Sequence, residues 1–262
     1  MIDAQWGWLH KKGDYHNCYT GDSWNKADCP DPKTCAQNCA IDAGGASNYK
    51  STYGVTSSAG AVTIDFEESN SNGKNVGARL FLMEDQSTYK MFKLLNKELS
   101  FTVDVSKLPC GMNGALYLVD MDPDGGMSKY PTNTAGAAYG TGYCDAQCPH
   151  DMKMINGQAN IIGWTSNPKD PNSGKGSWGS CCSEMDSACA QLQPVSCRNV
   201  CAASVASLHP RPFADGCLRV ATAIFVRCSL GKQQPGASCD ATRVQWRCCR
   251  GWFLQMPRNG VW

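Results

Sequence analysis

The stretch GSCCSEMDSACAQ, residues 179 to 191, holds the side chains best suited to chemistry. Glu184 and Asp186 stand two apart in what reads as a strand, so both carboxylates leave the same face. Neighbouring carboxylates serve acid–base and nucleophilic catalysis because their environments can hold one charged and another protonated. The pattern then stops. Ser187, Ala188, Cys189 and Ala190 supply no third acid.

The elements that must position this pair read as β. VTIDFEE sets Val62, Ile64 and Phe66 against Thr63, Asp65 and Glu67, the alternation of a half-buried strand. ARLFLM (78–83), LSFTVDV (99–105) and GALYLVDM (114–121) continue it, separated by turn-rich runs such as SNSNGK, DPDGG and NPKDPNSGKG. Helical periodicity is confined to a short turn near KTCAQNCAID. Strands joined by long loops predict a β-sandwich or jelly roll.

The 262 residues suffice for a sizeable core, and only 18% are charged. Seventeen cysteines indicate an oxidising compartment and a disulfide-stapled, secreted chain. The opening MIDAQWGWLH lacks the basic and apolar segments of a secretion leader, so the expectation is a secreted protein whose signal peptide is missing. No run of 18 apolar residues predicts a membrane span.

Charge divides the chain. Residues 1–186 carry 15 basic and 21 acidic side chains, a net of −6, and residues 187–262 carry 9 and 2, a net of +7. All nine tyrosines precede residue 187, and eight of the nine basic residues after it are Arg. Two domains are therefore expected, 1–186 and a divergent basic Cys-rich tail, 187–262. The tail reads either as a fused module or as a frameshift or mis-splicing product. Within it only LRVATAIFV reads as a strand. Its basic charge carries no nucleic-acid motif, so no nucleic-acid partner is expected.

IDAQWGWLH, NCYTGDSWN, CPDPKTCAQNCAIDA, STYGV, KNVGARLFLM, LPCGMNGALYLVDMDPDGGMSKYPTNTAGAAYGTGYCDAQCPHD and GSCCSEMD are long, ordered matches. On them, residues 1–186 closely resemble the catalytic domain of glycoside hydrolase family 7, and represent about half of one. The resemblance implies an all-β fold, a curved β-sandwich of the jelly-roll, concanavalin A-like class, here incomplete. It implies a retaining hydrolase of β-1,4-glucan, cellulose, acting without a cofactor as a monomer. KYPTNTAGAAYGTGYCDAQCPHDMKMINGQANIIGW resembles the cellobiohydrolases more than the endoglucanases, which remain the alternative. A catalytically dead glucan-binding protein is the other.

The family motif is Glu-x-Asp-x-x-Glu. By position Glu184 matches the nucleophile, Asp186 the helper carboxylate, and Cys189 the acid/base, so this chain is expected to be an impaired catalyst. The resemblance further implies that Trp6 and Trp8 stack on sugar rings, and as i and i+2 they are read as sharing a strand face. Tyr53, Arg79, Asn113, Tyr117, Tyr143, Asp145 and Gln147 match cleft positions. Asp145 and Gln147 alternate in YCDAQC and are read as facing one way, as a polar wall near Glu184. CDAQC with Cys181 and Cys182 has poor spacing for a metal, and no metal site is expected. The family implies the bridges Cys18–Cys39, Cys29–Cys35, Cys144–Cys182 and Cys148–Cys181.

Overall fold

The computed structural model describes residues 1–42, 46–70, 73–94, 99, 102–103, 112–191, 205–206, 219–228 and 244–245. Among the described residues strands predominate, with two short α-helices, Pro32–Asn38 and Ala46–Tyr53. The chain divides into two compact units: residues 1–47, 80–90 and 120–182 form the first, and residues 48–79, 91–119 and 183–262 the second.

In the first unit, Asp3 caps a 3₁₀ turn, Ala4–Trp6, by accepting from the Gln5 N–H at 2.9 Å. The strand Trp8–Lys11 follows and pairs antiparallel with Cys39–Asp42. Gly7 joins turn to strand because a Cβ there would lie 2.7 Å from the Asp42 carbonyl oxygen. Trp6 and Trp8 therefore do not share a strand face: the Gly7 N–H bonds back to the Ala4 carbonyl and closes the turn between them. The helix Pro32–Asn38 starts where proline is tolerated, and Asp31 accepts from the N–H groups of Lys33 and Thr34, both at 2.9 Å.

Disulfides hold this unit. They join Cys18 to Cys39, Cys29 to Cys35, Cys144 to Cys182 and Cys148 to Cys181. The sulfurs of Cys18, Cys29 and Cys39 cluster because the first two bridges touch, with Cys29 and Cys39 sulfurs 3.6 Å apart. All three are oxidised within those bridges and offer no thiolate to a metal.

Asn160 organises the loops of this unit, a role no sequence pattern announced. Its fully buried amide donates to the carbonyls of His150, Met152 and Trp178 at 3.0–3.2 Å, and its oxygen accepts from the Trp178 N–H at 3.1 Å. Every polar atom of the side chain is thus satisfied, which makes its burial tolerable. Gly176 must be glycine beside it, since a Cβ would stand 2.1 Å from the Asn160 Oδ1. Nearby, Tyr19, Trp24 and Trp164 meet edge to face at 5.3–5.7 Å.

In the second unit, two hairpins precede a sheet. Val55–Ser58 pairs with Ala61–Ile64, and Glu67–Asn70 with Gly73–Val76. VTIDFEE is therefore split rather than one half-buried strand, and Val62 is 60% exposed. The chain turns at Asp65 and Phe66, where the Asp65 N–H bonds the Gly54 carbonyl and the Gly77 N–H that of Phe66. The sheet lays its strands in the order Met91–Lys93, Arg219–Cys228, Met112–Val119, Glu184–Gln191, Val205–Ala206, each antiparallel to its neighbour. The tail thus adds the strand Arg219–Cys228, which holds most of LRVATAIFV, to this sheet, and the strand beginning at Glu184 runs past residue 186 without a break.

Candidate active site

The strand Glu184–Gln191 carries the carboxylates, and its pairing with Met112–Val119 fixes their geometry. Glu184 lies opposite Val119, and Asp186 opposite Tyr117. The register then slips between Leu116 and Tyr117, so that Ala188 meets Leu116 and Cys189 meets Ala115. Ser187 is the extra residue of a β-bulge. In a regular strand, position 189 would leave the opposite face from 184, because five is odd. The bulge absorbs one residue and restores the phase, so positions 184, 186, 189 and 191 stand opposite 119, 117, 115 and 113 on one face. Glu184 is buried and Asp186 half-buried.

The partner strand adds Tyr117, 4% exposed, directly across from Asp186. Asn113 falls on this face by register, opposite Gln191 on one side and Arg227 on the other. Arg227 was not anticipated, because nothing in the tail's sequence marked it; only strand pairing brings it to this row. Arg79 lies in the buried strand Ala78–Phe81 and is 6% exposed, and Tyr53 is the buried last residue of the helix Ala46–Tyr53.

The first unit holds the other candidates. Trp8 opens its strand, half-exposed, with its indole N–H donating to the Asn17 Oδ1. The buried Tyr143 hydroxyl donates to the Asp145 Oδ2 at 2.7 Å, and its ring stacks on Phe81 with centroids 6.0 Å apart. Asp145 and Gln147 do not form one wall. Asp145 is buried and Gln147 exposed, because the Asp145 Oδ1 accepts from the Gln147 N–H at 2.8 Å and turns the chain there. The turn is pinned to the disulfide segment, with Asp145 N–H on the Ser180 carbonyl and Cys182 N–H on the Asp145 carbonyl. Burial pushes the Lys153 amine down to about 8; it sits 5.0 Å from the Tyr19 ring. The side chains of Trp6, Asn113 and Cys189 lie outside the described residues.

The model of glycosyl hydrolase family 7 matches residues 1–207. The chain belongs to this family. Solved family 7 relatives include a cellobiohydrolase from Daphnia pulex, 50% identical with a TM-score of 0.68, and one from Melanocarpus albomyces complexed with cellotetraose, 48% identical with a TM-score of 0.67. An endocellulase from Humicola insolens is 37% identical with a TM-score of 0.53. Each alignment covers 73% of this chain and 43% or 44% of the relative, so the chain spans less than half of the family 7 proteins that it matches. Its strand-rich make-up agrees with the β-sandwich jelly-roll class of family 7.

Proposed function

We propose that this family 7 chain belongs to a secreted, monomeric cellulase that hydrolyses β-1,4-glucan with retention, in the manner of a cellobiohydrolase. The observation that carries the reading is the common face of Glu184, Asp186 and position 189, produced by the bulge at Ser187. Retaining glycosidases need a nucleophile and an acid/base about 5–5.5 Å apart on one side of the scissile bond. The higher identity and TM-score against the two cellobiohydrolases than against the endocellulase support cellobiohydrolase over endoglucanase.

In this mechanism a Glu184 oxygen attacks the anomeric carbon while the glycosidic oxygen leaves. The leaving oxygen takes a proton from the acid/base, which then strips a proton from water to hydrolyse the glycosyl ester. Asp186 holds the nucleophile's orientation and charge. A cysteine at position 189 does both proton transfers poorly, since an ordinary thiol, with a pKa of ~8.5, is too weak an acid and too short to reach a carboxyl's position. The chain is therefore an impaired hydrolase that retains its nucleophile.

A dinitrophenyl cellobioside separates the steps, because its leaving group needs no proton. The expected result is a stoichiometric burst of dinitrophenol, slow turnover, acceleration by azide, and loss of the burst in Glu184→Gln. No burst would favour the second reading, a glucan-binding protein without catalysis, for which the substitution at Cys189 is the specific support.

A further inference from the structure

Two disulfides of the first unit touch each other. The Cys29 sulfur, bonded to Cys35, lies 3.6 Å from the Cys39 sulfur, bonded to Cys18. The sulfurs of Cys18, Cys29 and Cys39 all fall within 4.8 Å of one another. Disulfides exchange when a thiolate attacks one of their sulfurs, so the incoming sulfur must first reach its target. Here that contact exists before any bond is broken.

The backbone holds the touching pair together without help from the bridges. The Asn38 side-chain amide donates to the Asp28 carbonyl at 2.9 Å, which joins the residues just before Cys39 and Cys29. The Cys29 N–H bonds the Asn25 carbonyl at 2.7 Å, the Cys39 N–H bonds the Cys35 carbonyl, and Cys39 pairs with Lys11 in its strand. All four cysteines are buried, none more than 4% exposed. A thiolate formed among them therefore meets its neighbouring sulfur at high effective concentration.

We propose that Cys18, Cys29, Cys35 and Cys39 form a redox relay that converges on one new bridge, Cys29–Cys39. A dithiol reductant opens Cys29–Cys35 and is itself oxidised to a disulfide. The Cys29 thiolate then attacks the Cys39 sulfur: the Cys29–Cys39 bond forms, the Cys18–Cys39 bond breaks, and Cys18 leaves as a thiolate that takes up a proton. Where the reductant opens Cys18–Cys39 instead, the Cys39 thiolate attacks Cys29 and expels Cys35. Both routes end with thiols at Cys18 and Cys35. Two electrons thus untie Cys18 from the strand Cys39–Asp42 and Cys35 from Cys29, while one staple survives at the touching pair.

The test is disulfide mapping of the full chain by alkylation, proteolysis and mass spectrometry. In Cys35→Ser the Cys29–Cys39 peptide should replace the Cys18–Cys39 peptide, with the alkyl label on Cys18. Cys18→Ser should give the same bridge, with the label on Cys35. In the parent, dithiothreitol is titrated until these cysteines begin to label, and the first labels should fall together on Cys18 and Cys35. This last arm decides the matter if either variant fails to fold. A Cys35→Ser chain that keeps Cys18–Cys39 and labels Cys29, or joins Cys29 to some other cysteine, overturns the relay. So does a parent whose first labels fall on a native pair, Cys29 with Cys35 or Cys18 with Cys39.

Discussion

By register, position 189 falls on the same sheet face as Glu184, although the two are five positions apart, an odd spacing. The bulge at Ser187 is what brings them into phase, and it makes position 189 the one from which a third group would act with the two carboxylates. Cys189→Glu should therefore raise hydrolysis of unactivated cello-oligosaccharides by about 10²–10⁴-fold, the usual worth of a positioned acid/base. Reducing-sugar release from cellopentaose measures this. No gain, in a variant that melts as the parent does, would remove the acid/base role from this position.

His16 makes stability depend on pH. Its pKa is raised, first by the hydrogen bond with Asp28 and then by the Asp14 charge, with Lys11 opposing. The imidazolium's contribution is complete below its ordinary value of 6.5 and is lost as pH climbs through the raised value. Asp28 is lowered by His16 and Lys11, so its contribution is present above 3.8 and is lost as pH falls through the depressed value. The melting temperature of His16→Gln should fall below the parent's in mildly acidic buffer and converge with it on the alkaline side. A constant difference across the range would contradict this.

Lys153 acts with the opposite sign. Burial lowers its amine from 10.5 to about 8, so the unfolded chain binds the proton more strongly in that interval, and stability rises with pH across it. Holding the ammonium buried at neutral pH costs on the order of 3 kcal/mol by this linkage. Lys153→Met should thus melt higher than the parent near pH 6, with the gain vanishing by about pH 10. A lower melting temperature at pH 6 would mean that the ammonium's contact with the Tyr19 ring outweighs its desolvation.

The bridge Cys144–Cys182 closes 38 residues and leads directly into the strand that begins at Glu184. The double substitution Cys144→Ser and Cys182→Ser should destabilise by about 2–4 kcal/mol, mostly by freeing the unfolded chain. Urea unfolding would register this as a lower midpoint, and an unchanged midpoint would show that Cys148–Cys181 alone holds the segment.

The sequence by itself determined the family and the all-β class, and it picked out the carboxylates of the candidate site, because long ordered matches such as GSCCSEMD place particular residue types at particular spacing. Alternation also located GALYLVDM and LRVATAIFV as strands, since burial of one or both faces leaves its period in the residues. It misplaced the relation of Trp6 to Trp8 and of Asp145 to Gln147, because a period-2 reading assumes an extended chain. Side-chain caps at Asp3 and Asp145 turn the backbone at both places. Nor did alternation mark Asn160, whose value lies in carbonyls that loops bring to it, or Arg227, which reaches the carboxylate row only by pairing. The phase of Cys189 with Glu184 was likewise decided in tertiary structure. A bulge is a property of two strands in register, and one strand's sequence cannot say which residue its partner will leave unpaired.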